Sequence, residues 1–87
     1  MPSVQEVKAG LAEAAEEANK TTAQVRAAMD AADRTLTRLT AVAQGTQHPK
    51  IIEAIGMIQQ CKQRLGEAAQ LAQAAAQAAR DYIGVLG

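Results

Sequence analysis

Apolar side chains recur every seven residues along this chain in two runs: Val4, Leu11, Ala18, Val25, Ala32, Leu39, and then Ile51, Ile58, Leu65, Ala72, Ala79, Leu86. A sustained repeat of seven turns one face of an α-helix toward a neighbouring helix. Between the runs lies Gly45-Thr46-Gln47-His48-Pro49, a cluster that stops and restarts helices. The pattern predicts an all-α fold of two long antiparallel helices, about 4–44 and 49–84, in a single helical-hairpin domain spanning 1–87 with its turn at 45–48. At 1.5 Å per residue each helix is about 60 Å long, and the product is a rod.

The helix ends carry their own signals. Ser3-x-x-Glu6 reads as a capping box, in which the Ser3 oxygen accepts the Glu6 N–H and the Glu6 carboxylate returns a bond to the Ser3 N–H. Gly45 is the expected stop of the first helix in the left-handed conformation. Pro49 suits the first turn of the second helix, with His48 or Thr46 as its cap. Folding the chain at this turn makes facing residue numbers sum to about 93. Leu36 then meets Ile58, Met29 meets Leu65, and Ala14, Ala15 and Ala18 face Ala75, Ala76 and Ala79 in an alanine-lined antiparallel coiled coil.

A second apolar line on the second helix, Met57, Leu71, Ala78 and Val85, lies about 100° from the main seam. With Ala54, Cys61, Ala68, Ala75 and Tyr82 between, the apolar arc is wider than one partner helix covers. The expected consequence is association, either with itself as a dimer or tetramer, the dimer completing a four-helix bundle, or with another small helical protein. Met57, Leu71, Tyr82 and Val85 are the candidate interface residues. On the opposite face Gln63, Gln70 and Gln77 repeat at seven and read as a solvated polar surface.

Composition agrees with a small core. The apolar fraction is 48%, but much of it is alanine; Phe and Trp are absent and aromatics stand at 1%. A chain of 87 residues buries only around 60% of its unfolded surface, so association supplies stability that a monomer lacks. Nine Lys+Arg balance nine Asp+Glu, which removes any general pull toward nucleic acid or anionic membranes. The one cysteine, Cys61, excludes an internal disulfide and reads as a small buried hydrophobe.

Candidate chemistry is sparse. His48 is the only histidine and has no second His or Cys at metal-ligand spacing. There is no phosphate loop and no nucleophile elbow. The expectation is a protein without enzymatic activity, cofactor, metal or small-molecule substrate. The alternative function is nucleic-acid binding through Arg34, Arg38, Lys50, Lys62 and Arg64 near the turn, a patch diluted by Asp30, Asp33 and Glu53. The N-terminal stretch lacks the apolar core of a signal peptide and no run of ~18 apolar residues occurs, so the expected location is the cytoplasm, with no membrane span.

Two antiparallel helices around a short turn, rich in alanine and glutamine, resemble the WXG100 or ESAT-6-like proteins of actinobacteria. Where that family places Trp-x-Gly in the turn this chain has Gly45-Thr46-Gln47, and its Tyr82 is followed at the fourth position by Leu86 in place of the family's acidic residue. The resemblance implies a helical bundle acting through protein association and export without a cleaved leader. The alanine content is also similar to that of small helical proteins from high-GC actinobacteria.

Overall fold

The computed structural model describes residues 1–87 as two helices, α1 over Val4–Gly45 and α2 over Pro49–Leu86. Their ends lie within two residues of the predicted ones. The hairpin is a rod of 63 × 19 × 14 Å with a radius of gyration of 19.4 Å, against about 12 Å for a compact chain of this length. No third element packs on the pair. Each helix therefore has a single neighbour along one face, and the core is one seam wide.

Local chemistry accounts for both helix starts. The Ser3 Oγ accepts the Glu6 N–H at 3.1 Å, which satisfies one of the unpaired donors of the first turn. The reciprocal Glu6 bond of a full capping box is not made. At α2 the cap is His48, whose Nδ1 accepts the Lys50 N–H at 3.1 Å while Pro49 occupies the first turn. The Thr46 hydroxyl accepts the His48 N–H at 3.3 Å and so holds the cap in place.

The stop of α1 differs from the expected one. Gly45 remains helical, and the only left-handed residue of the chain is Gly87, at φ 85°. Thr46 ends the helix instead: its backbone is extended (φ −155°, ψ 140°) while its N–H still donates to the Val42 carbonyl at 3.2 Å. An exit through the extended region needs no positive φ, so the freedom of Gly45 is not used there.

The register also moves. Contacts between Lys8 and Gly87, between Met29 and the face of Gly66, and between Asp33 and Lys62 each join residues whose numbers sum to 95. The shift of two from 93 leaves Leu36 beside Ile58 and Met29 beside Leu65. Ala14 and Ala75, expected in the alanine seam, fall on the lines beside it instead, and both are exposed.

Burial follows from a seam this narrow. Only Ala15, Thr22, Ala32, Ala69 and Ala76 are buried, and no larger side chain is. The larger seam residues, among them Leu11, Val25, Met29, Leu36, Leu65 and Ile83, are half-buried. Small residues at the contact let helix axes approach toward the short end of the 8–10 Å range. Thr22 fits there because its hydroxyl donates to the Ala18 carbonyl at 3.0 Å, one turn back, and no buried side-chain polar atom lacks a partner.

Candidate interaction surface

The two sides of the rod, left and right of the seam, differ in chemistry. Asp33 on α1 pairs with the half-buried Lys62 of α2. On the same side a shallow groove runs between Arg26, Asp30 and Asp33 on α1 and Gly66, Gln70 and Gln73 on α2. Gln77 continues the polar edge, its amide donating to Asp81 at 2.8 Å and its carbonyl accepting from Arg80 at 3.1 Å.

The other flank is built from the lines that fall on the far side of each seam. On α1 it carries Ala14, Thr21, Ala28, Thr35 and Val42 at intervals of seven. On α2 it carries Ala54, Cys61, Ala68, Ala75 and Tyr82, and beyond them Met57, Arg64, Leu71, Ala78 and Val85. The threonines Thr21 and Thr35 turn their hydroxyls back to the Glu17 and Ala31 carbonyls at 3.0 and 3.2 Å. That leaves their methyl groups to face outward with the alanines.

All four candidate interface residues lie on this flank. Met57 is 61% exposed, Leu71 71%, Tyr82 50% and Val85 77%. Val42, from α1, is a fifth large apolar side chain exposed on the same flank, at 49%. It was not singled out from the sequence, where the α1 line of Ala and Thr that leads to it reads as an ordinary surface. Ile52 is the one large apolar residue exposed on the polar flank, and Val4 is exposed where α1 begins, at the end of the seam.

Cys61 corrects the sequence reading. It is exposed, not buried, because it stands on the flank line beside the seam, where α1 presents only Ala28 and Thr35 to its side. The seam positions next to it are Ile58, Lys62 and Leu65. The apolar arc is wide, and a single helix covers its edge and not its middle.

The basic residues near the turn do not form one surface. Lys62 is held by Asp33, and Lys50 pairs with Glu53 at 3.1 Å. Arg34 lies on the back of α1, away from the seam, while Arg38 and Arg64 edge the apolar flank. No three His, Cys, Asp or Glu side chains gather as a metal site, and no helix is long and apolar enough to cross a membrane. His48 is engaged as the α2 cap. Comparison with known protein families, with curated proteins and with solved structures finds no match to this chain.

Proposed function

We infer that this chain is a noncatalytic helical hairpin that works through protein association, using the flank of Val42, Met57, Leu71, Tyr82 and Val85 to pack against another pair of helices. The observation that carries this reading is the segregation of exposed large apolar side chains: five of them share one flank, while the other is polar and internally bonded. Scattered apolar residues are normal on a surface, but a contiguous patch rimmed by charges marks an interaction site. Glu17 and Arg38 edge the patch along α1, and Lys50 and Arg64 stand in the Met57–Leu71 line of α2. The occupant is a second copy or another small helical protein.

The hairpin form supports a functional likeness to ESAT-6-like proteins, which act by bundling; the proposed location is the cytoplasm before any export. Nucleic-acid binding has less support, since two of its five basic residues are already paired with carboxylates and phosphate contacts need unopposed charges.

The test is Leu71→Glu. It places a charge in the middle of the flank without touching the seam, so helicity by circular dichroism stays within a few per cent of the parent while the assembly falls apart by light scattering. An assembly that survives the substitution unchanged sinks the assignment of this face.

A further inference from the structure

We propose that the occupant of the apolar flank is a second copy of this chain, stacked flank to flank with its turn at the opposite end of the rod, a proposal that rests on the association reading above. Area is the first support. The chain exposes 6245 Å², about 1,300 Å² more than the roughly 4,900 Å² of a compact monomer of its mass. A standard stable interface covers about 800 Å² on each partner. One flank-to-flank contact along a rod 63 Å long is large enough to bring the exposed surface back to the ordinary range.

Symmetry then leaves two full-length stackings. With the two-fold axis along the rod, the turns lie together and α1 covers α2 of the second copy. With the axis across the rod, the turns are opposed, and each helix covers its own copy. Charge separates the two. The outer line of the flank on α1 carries only two charges, Glu17 and Arg38, three heptads apart and centred near Ala28. By the register of 95, Ala28 lies at the level of Glu67, one residue from Ala68, near the middle of the rod.

A two-fold axis crossing the rod at Ala28 and Ala68 brings Glu17 of each copy to the level of Arg38 of the other, making two equivalent ion pairs. The same operation sets large against small: Val42 opposite Ala14, Tyr82 opposite Ala54, Met57 opposite Ala78. Leu71 meets the aliphatic stem of Arg64, which keeps its charged head in water. With the turns together, by contrast, Glu17 lies at the level of Ala78 and Arg38 at that of Met57, both unpaired. Rim charges contribute little affinity, but they select between registers, because a misplaced charge is penalised more than a placed one gains.

Cysteine cross-linking reads the arrangement directly. In a Cys61→Ala background, Ala28→Cys and Ala68→Cys are made as separate proteins and oxidised at a concentration where light scattering reports the dimer. Opposed turns put each of these positions beside its own copy, within the short Cα separation a disulfide requires, so each variant cross-links alone. The native Cys61 falls at the level of Ala75 in the second copy, roughly 20 Å along the axis from its own copy, and links at least tenfold more slowly. Cross-linking that appears only when the two variants are mixed means that α1 covers α2, with the turns together. That result overturns the proposal and leaves association through the flank intact.

A charge exchange provides the second readout. Glu17→Arg weakens the dimer about fivefold, and Glu17→Arg with Arg38→Glu restores it; a double variant as weak as the single one removes the ion pairs from the proposal and overturns it. A mass of one chain at every concentration overturns self-pairing while leaving a different helical partner open. Failure of the association reading has its own sign, an assembly indifferent to Leu71→Glu.

Discussion

The two flanks of the rod use the same helices, length and register, yet one is finished and the other is not. On the polar flank Lys62 reaches Asp33, Gln77 bonds to Asp81 and Arg80, and Gln70 and Gln73 line an open groove. On the apolar flank Met57, Leu71, Tyr82, Val85 and Val42 leave about half or more of their surface exposed. The contrast shows what a two-helix fold is able to do. One seam satisfies about a third of each helix circumference, and whatever apolar surface lies beyond the seam is available for a partner. Here five of the large exposed apolar side chains share one side, with Ile52 alone on the other, so the surplus has a direction.

The comparison breaks most visibly at Leu71. Leu71→Glu is expected to weaken association by about a hundredfold, since it removes a large buried side chain and adds a charge, together worth about 3 kcal/mol. Gln63→Glu, its counterpart on the polar flank, leaves the assembly mass unchanged at the same concentration. Equal effects from both would erase the distinction between the flanks.

Ala76 tests the seam that separates them. It is fully inaccessible, so Ala76→Leu forces the helices apart and costs about 1–3 kcal/mol. At fixed protein concentration the thermal midpoint falls by about 4–8 °C per kcal/mol. Ala75→Leu, one residue away but on the exposed flank, does not strain the seam, and its midpoint should stay near the parent's or rise.

Two smaller effects sharpen the account of the helices themselves. Ser3→Ala deletes the α1 cap and is expected to cost about 1 kcal/mol, visible as faster hydrogen exchange of the Glu6 amide with the centre of α1 unchanged. Gly56→Ala, on the polar flank where an added Cβ meets no atom within 4 Å, stabilises the protein by up to about 1 kcal/mol. Its gain should be the same in monomer and assembly, because nothing packs on that flank in either.

Much of this architecture is legible in the residues, and the exceptions have physical reasons. The seven-residue lines of Leu, Ile, Val and Ala locate both helices, because an apolar face is the strongest periodic signal a chain carries. Thr22 escapes such a reading: it scores as polar, yet its hydroxyl is satisfied within its own helix and it packs as a small apolar residue. Lys62 escapes for the opposite reason, since a charge at a seam position is tolerated when its stem lies along the neighbouring helix and its head reaches Asp33. The register depends on whether the turn is left through Gly45 or Thr46, a choice of backbone geometry that composition does not express. Cys61 was misplaced because an arc of apolar residues does not say where the single covering helix will lie. The exposure of Met57, Leu71, Tyr82 and Val85 is legible because surplus apolar lines persist at seven-residue spacing; that of Val42 follows from the same spacing on α1, hidden among Ala and Thr.

The most direct test is light scattering coupled to size-exclusion chromatography over a hundredfold range of concentration, with circular dichroism melts on the same samples. If the exposed flank is an association surface completed by a second copy, the mass settles at twice the 9.1 kDa of one chain and the melting midpoint rises with concentration. A fully helical chain of 9.1 kDa with one concentration-independent melt would contradict completion of the flank by a second copy.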